Sequence, residues 1–264
     1  MRFEKYEGAG NDFVLVDCTE REVALLRERA ATICDRHFGV GADGILAILP
    51  ASSARSAARM VVINADGSIA EMCGNGIRCV AMHVAGRAGA SSVCIETDAG
   101  PLDCVVEMRE GDALVTVDLG PVVVTGVTRV EIDGASIEFA TANSGNRHAI
   151  RFGKYDDAMV RRIGPVASVH PAFDGGANIE FADIIAEKKS VRVAVWERGV
   201  GVTMACGTGA AAVVAALCGR GEMPRDTPIA VELPGGTLIV TMRSSDSHAV
   251  QRGPARHVFS GEIA

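Results

Sequence analysis

The sequence predicts a mixed α/β chain built from two similar halves, and three observations carry that expectation. Apolar runs of strand length alternate with segments of helical periodicity. Two cysteines each stand between an apolar strand and an apolar helix: Cys73 follows the strand at 60–63 and precedes Ile77, Val80, Ala81 and Val84, while Cys206 lies between a strand at 191–196 and a helix at 210–218. The two are 133 residues apart in a chain of 264, and other landmarks keep that register. Asn64 and Glu197 each precede their cysteine by 9, and the Gly-Asn pairs ending at Asn11 and Asn146 precede theirs by 62 and 60.

Hydrophobic residues make up 48% of the chain, enough for two modest cores, and the duplication favours two over one. A formal charge of −7 leaves no basic field for nucleic acid, so no such partner is expected. No apolar run approaches the roughly 20 residues of a membrane span, and the start lacks the apolar core of a signal peptide. A cytoplasmic enzyme acting on a small molecule is the expectation. The eight cysteines read as free thiols, and none has Cys-x-x-Cys or His-rich spacing for zinc. Cys34, Cys79, Cys94, Cys104 and Cys218 sit among apolar neighbours and read as small core residues.

In chain order, strands at 3–7 and 13–17 flank the loop Gly8-Ala9-Gly10-Asn11-Asp12, which leaves Asn11 at a strand edge. A helix at 20–37 follows, with Val23, Leu26, Ala30 and Ile33 on one face and Gly39 as its stop. The string Gly39-Val40-Gly41-Ala42-Asp43-Gly44 matches a dinucleotide fingerprint literally, but it leads from helix to strand, the reverse of the required context, and reads as a connector. Residues 51–58 read as a mobile surface loop. After the Cys73 helix come strands at 93–97, 102–108 and 113–119, and Gly120-Pro121 marks a linker. Strands at 128–132 and 137–140 open the second half, and the loop 143–148 carries Asn146 and His148. A short helix at 157–162 ends before Gly164-Pro165, and Asn178 opens another strand. Past the Cys206 helix, 229–233 and 238–242 form a hairpin around Pro234-Gly235-Gly236. A short strand at 258–263 completes the first sheet.

A cysteine at a helix N-terminus faces backbone N–H groups that lack intrahelical acceptors, which attracts anions and favours thiolate over thiol. Two such thiols in duplicated domains suit inversion of a carbon centre: a thiolate removes the α-proton from one face and a thiol returns one to the other. The N–H groups of Gly74, Asn75, Gly207 and Thr208 can hold a substrate carboxylate. His148 and Glu197 can accept thiol protons.

The run Asn64-x-Asp66-Gly67-Ser68-x4-Cys73-Gly74-Asn75-Gly76-x-Arg78 resembles the signature of the diaminopimelate epimerases. Gly8-Ala9-Gly10-Asn11-Asp12-Phe13, Gly145-Asn146-x-His148-Ala149, Asn178-x-Glu180-Phe181 and the block from Glu197-Arg198-Gly199 to Cys206-Gly207-Thr208-Gly209 resemble the family's other blocks, nearly end to end. The resemblance implies two pseudosymmetric α/β domains, each a mixed sheet wrapped around a central helix, with a cleft between them, at 1–119 with about 254–264 and at 120–253. It implies a homodimer, Cys73 and Cys206 as the proton-transfer pair, His148 and Glu197 as modulators of their ionisation, and substrate contacts at Asn11, Asn64, Asn146, Asn178, Glu197, Arg198 and the two Cys-Gly-Asn/Thr turns.

Arg147 stands where the family usually has proline and Gly44 where some members have glutamine. Ile69 and Val202, each four residues before its cysteine, replace a frequent glutamate. A racemase of proline, hydroxyproline or histidine would use the same thiols, but Asn64, Asn178 and Arg198 have no distal zwitterion to hold in those substrates. No cofactor and no metal are expected, because Lys5, Lys154, Lys188 and Lys189 lack the glycine-rich setting that pyridoxal phosphate requires.

Overall fold

A computed structural model describes residues 1–185, 187 and 189–263, so Ala186, Lys188 and Ala264 lie outside the described residues. The chain divides into two compact units, residues 1–117 with 252–264 and residues 118–251.

Unit 1 begins with the hairpin β1 (Arg2–Gly8) and β2 (Asn11–Asp17), then helix α1 (Glu20–Cys34). Strands β3 (Gly44–Leu49), β4 (Ala58–Asn64) and the two-residue β5 (Ile69–Ala70) lead to helix α2 (Gly74–Ala88). Strands β6 (Ser92–Thr97), β7 (Gly100–Met108) and β8 (Asp112–Pro121) follow. The β1–β2, β3–β4, β4–β5, β6–β7 and β7–β8 pairs are antiparallel, whereas β2–β3 and β4–β6, the pairs bridged by a helix, are parallel. Parallel neighbours need such a crossover.

Unit 2 repeats this order behind one added leading strand. The hairpin β9 (Val123–Ile132) and β10 (Ala135–Asn143) is followed by β11 (Arg147–Phe152), α3 (Asp157–Ser168), β12 (Asn178–Ile185), β13 (Ser190–Glu197), β14 (Gly201–Thr203), α4 (Gly207–Gly219), β15 (Ile229–Leu233) and β16 (Gly236–Met242). Here again β11–β12 and β13–β15 are parallel and flank the two helices, while β10–β11, β12–β13, β13–β14 and β15–β16 are antiparallel. The match of strand directions and helix positions, element for element, makes the duplication structural as well as numerical. The last strand, β17 (His248–Glu262), supplies residues 256–262 to β1 in antiparallel register.

Each sheet carries one helix on each face. The outer helix α1 covers Val14, Val16, Ile45, Ala47, Val61 and Ile63, and α3 covers Phe139, Ala149, Ile179 and Phe181. The inner helices are buried almost all round: α4 has no exposed residue from Gly207 to Leu217, because its Ala and Val side chains are small enough for strands to close about it. Alternation along β12 sends Ile179 and Phe181 to the α3 side and Glu180 to the α4 side.

Several elements differ from the sequence reading. Helix α1 stops at Cys34 rather than near His37, because Asp35 turns extended and its carboxylate accepts the N–H groups of His37 and Phe38, each at 2.7 Å. Helix α3 runs through Gly164 and Pro165 to Ser168. The apolar stripe Val160, Ile163 and Ala167 keeps its burial and outweighs the one hydrogen bond that proline forfeits. Gly120 and Pro121 end β8 rather than forming a linker, and β9 begins at Val123. The final strand is 15 residues long, not six. The 51–58 loop is anchored, since the Glu96 carboxylate accepts the N–H groups of Ser52 and Ser53 at 2.9 Å. Cys218 is only half-buried, whereas Cys34, Cys79, Cys94 and Cys104 are buried.

Glycine is required at position 164, where a Cβ would lie 2.6 Å from Cγ of Trp196. Gly164→Ala is therefore expected to cost about 1–3 kcal/mol through overpacking, read as a lowered urea midpoint with an unchanged slope.

Candidate active site

Cys73 and Cys206 occupy the same structural position in the two units, the N-cap of the inner helix. Cys73 has φ −136° and ψ 114°, and Cys206 has −124° and 112°. Both sulfurs accept the N–H of the third helical residue, Gly76 and Gly209, at 3.3 Å. A sulfur thus takes the place of the hydroxyl or carboxylate oxygen usual at an N-cap. The remaining first-turn N–H groups point the same way, and the helix dipole adds positive potential there.

The polar surroundings of the two thiols differ. Around Cys73, Asn11 at the start of β2 holds its amide in one orientation: Nδ2 donates to the Asp43 carboxylate at 2.6 Å, and Oδ1 receives Asn75 Nδ2 at 3.3 Å and the Cys73 thiol at 3.9 Å. Asp43 also accepts the Asp12 N–H and a 2.7 Å bond from Arg36, and Arg36 and buried Lys5 both pair with Asp12. Burial alone would raise the Asp12 carboxyl, but the bonds from Arg36 and Lys5 outweigh it and hold it at about 2. The glycine-rich 39–44 connector thereby has a task that its sequence concealed, since it presents Asp43 to Asn11.

Beneath α2, the fully buried Arg78 donates to the Gly74 carbonyl at 2.8 Å, to Asn75 Oδ1 at 2.7 Å and to the Pro254 carbonyl at 3.1 Å. In unit 2 the fully buried Gln251 donates to the matching carbonyl, Gly207, at 2.8 Å. The motif reading included Arg78 without a role and passed over Gln251. Only the extra polarity inside apolar surroundings marks them in sequence.

Around Cys206, the Thr208 hydroxyl lies 3.4 Å from the sulfur, and Glu197 accepts the Thr203 hydroxyl at 2.6 Å. His148 Nδ1 lies 2.7 Å from Glu180 Oε1, and both side chains are completely buried. The expectation that the helix N-terminus favours thiolate fails at Cys206: burial pushes its thiol well above the usual range, and the charges of Glu197 and Glu180 push it further. Desolvation of the sulfur outweighs the helix-end amides.

Among the expected substrate contacts, Asn64 donates to the Ser68 hydroxyl at 2.9 Å and is exposed, as are Asn146 and Arg198. Asn178 Oδ1 accepts the Arg198 backbone N–H at 2.9 Å, and the Arg198 guanidinium donates to the Gly175 carbonyl. Asn178 therefore shapes the turn that carries Arg198. A cavity of about 840 Å³ in unit 1, lined by Tyr6, His83, Arg87 and His257 among others, contains none of the expected site residues. Among the described residues no cluster of His, Cys, Asp or Glu has the makings of a metal site.

Two α/β units with a sulfur-capped inner helix define a class. The solved hydroxyproline epimerase from Agrobacterium vitis, bound to trans-4-hydroxy-L-proline, matches 100% of this chain and 92% of its own with a TM-score of 0.77, at 18% identity, which shows a shared two-domain fold. Sequence comparison is narrower. The diaminopimelate epimerase family profile matches residues 3–125 and 140–258. The diaminopimelate epimerase of Acetivibrio thermocellus is 39% identical across 100% of this chain and 98% of its own, and that of Synechococcus elongatus 41% across the same shares. The chain belongs to the diaminopimelate epimerase family.

Arg78 makes a direct test of how the α2 N-terminus is held. Arg78→Leu removes three buried hydrogen bonds from a charged donor, each worth about 1.5–3 kcal/mol. The variant should lose several kcal/mol of stability by chemical denaturation and should recover none of it in high salt, because the site is buried.

Proposed function

We propose that this chain interconverts LL- and meso-2,6-diaminopimelate by two-base proton transfer, with Cys73 and Cys206 as the acid–base pair, on the route to lysine and peptidoglycan precursors. The observation that carries the reading is the repeated sulfur-capped helix, one in each unit of a chain about 40% identical to diaminopimelate epimerases. A thiol raised by burial stays protonated, so Cys206 starts as the proton donor and Cys73 as the base. Thiolate Cys73 takes the α-proton, the electron pair passes to carbon, and the Cys206 thiol delivers its proton to the opposite face. Configuration inverts, and the reverse reaction exchanges the roles. The N–H groups of Gly74, Asn75, Gly207 and Thr208 bind the α-carboxylate and oppose charge in the carbanion-like transition state.

At the far end of the substrate, exposed Arg198 pairs with the distal carboxylate, Asn64, Asn146 and Asn178 complete the shell, and Glu197 meets an ammonium. Asn11, its carbonyl oxygen fixed by Asp43, offers an acceptor at the reacting end. His148 and Glu197 adjust thiol ionisation. The reading extends to a cofactor-free homodimer in the cytoplasm. No described helix is long and apolar enough to cross a membrane. A proline-type racemase is disfavoured, since likeness to that group extends to fold at 18% identity.

Enzyme turning over LL-diaminopimelate in heavy water should place deuterium in the product while the remaining substrate stays protiated at early times, as followed by NMR. Cys73→Ala and Cys206→Ala should each abolish epimerisation, and near-wild-type turnover by either would end the two-base reading.

Substrate choice is tested separately. Arg198→Ala should lower kcat/KM at least about tenfold, because charge-assisted bonds contribute about 1.5–3 kcal/mol each, and Arg198→Lys should restore only part. Lysine, proline and histidine should all be poor substrates. If any matched LL-diaminopimelate in kcat/KM, the chemistry would stand and the substrate assignment would fall.

A further inference from the structure

Four side chains of unit 1 form one hydrogen-bonded chain that ends on a cation at one side and an anion at the other. The buried Arg78 guanidinium donates to Asn75 Oδ1 at 2.7 Å, Asn75 Nδ2 donates to Asn11 Oδ1 at 3.3 Å, and Asn11 Nδ2 donates to Asp43 Oδ2 at 2.6 Å. The charged ends decide how both amides face, because a guanidinium only donates and a carboxylate only accepts. Turning Asn11 over would set its oxygen against the carboxylate and its NH2 against that of Asn75. Turning both amides would move the second conflict to Arg78. Asp43 is itself held, by the Asp12 N–H at 3.1 Å on the same oxygen and by Arg36 at 2.7 Å on the other.

We propose that Asp43 is a positioning residue for the chemistry at Cys73: through Asn11 it keeps a carbonyl oxygen, and never an NH2, beside the sulfur, where one lone pair serves the thiol until the ammonium group of an amino-acid substrate takes it. The Asn11 oxygen has two lone pairs. Asn75 occupies one, and the Cys73 thiol, 3.9 Å away, faces the other. An acceptor in that place favours S–H over thiolate.

An ammonium is the better donor for the same lone pair, since charge-assisted hydrogen bonds are stronger than neutral ones. Once it takes that place, the thiol loses its acceptor and gains a positive neighbour, and both changes favour thiolate. The substrate thus prepares the base that deprotonates it. In that ionisation the S–H electron pair stays on sulfur and the proton passes to water, which a half-buried Cys73 can reach. The groups around this sulfur are the Gly76 N–H at 3.3 Å, the Asn11 oxygen and, from α2, the Arg78 guanidinium and the Cys79 thiol, which are coupled to its charge. Glu7 of β1 acts on Arg78 and Cys79 in turn. Asn11 is the neighbour whose two faces, C=O and NH2, have opposite effects on a thiolate, so its orientation matters most.

The inference rests on the reading of Cys73 as an acid–base group, and its first test needs no substrate. Asp43→Ala leaves Arg36 its 2.7 Å bond to Asp12 and frees the Asn11 amide to turn its NH2 onto the sulfur. Iodoacetamide labelling of the Cys73 and Cys206 peptides in the whole protein, read by mass spectrometry, should then run about tenfold faster at Cys73 near neutral pH, equivalent to one pKa unit. Labelling of Cys206 should be unchanged. In an Asn11→Ala background the same substitution should speed Cys73 by less than about threefold, since only a solvent-screened charge is removed. Asp43→Ala should also epimerise LL-diaminopimelate more slowly, so that thiol reactivity and turnover move in opposite directions. No acceleration at Cys73, equal acceleration of both cysteines, or equal acceleration in both backgrounds would overturn the proposal. Should Asp43→Ala not fold, neutron diffraction from the unmodified protein decides: Asn11 deuterons on the Asp43 side support the assignment, and deuterons on the sulfur side refute it. Parental turnover by Asp43→Ala would remove this inference alone, whereas the stated labelling shift in a protein that does not epimerise LL-diaminopimelate would remove only the substrate reading.

Discussion

A cysteine sulfur accepting the third N–H of a helix, at 3.3 Å in both units, is the contact on which the rest of the arrangement depends. It fixes the thiol at the head of a helix that is sealed from water. It also demands glycine at positions 76 and 209, where a Cβ would press on Leu46 or on Glu180. The carbonyl of the first helical residue also takes a side-chain donor, from Arg78 in the first unit and from Gln251 in the second. Reactive group, cap and helix seat thus form one construction, built twice.

The two copies keep the same backbone plan and diverge in polarity. The first supports its thiol with an amide whose orientation a carboxylate fixes, Asn11 against Asp43. In the second, an imidazole stands against a buried carboxylate, His148 against Glu180. An amide cannot exchange a proton near neutral pH and an imidazole can. Symmetric folds therefore carry asymmetric polar surroundings.

Much of this was legible in the sequence because it is local. Strand, small-residue turn and apolar helix around each cysteine are short-range patterns, and the 133-residue register exposed the repeat before any contact was known. What sequence concealed depends on distant partners. Helix α3 passes through Gly164-Pro165 because Val160, Ile163 and Ala167 bury against strands distant in the chain, which local propensity cannot register. The helix-end argument for a thiolate omitted the desolvation of Cys206, which arises from packing. Asp43 and Glu180 looked like a connector residue and a strand residue. Their roles come from Asn11, 32 residues away, and His148, also 32 residues away.

The path of the last strand has a consequence for how the chain is made. Residues 256–262 pair with β1, and the N-terminal ammonium donates to the Ile263 carbonyl. The first sheet thus lacks one of its strands until residues 256–262 have left the ribosome. Unit 2 is continuous in sequence from 118 to 251 and meets no such delay. The half synthesised first is therefore the half completed last, and during translation β1 waits with an open edge of the kind that recruits stray strands. Its flanking charges, Arg2, Glu4 and Glu7, stand along that edge through the interval and discourage pairing with the wrong chain.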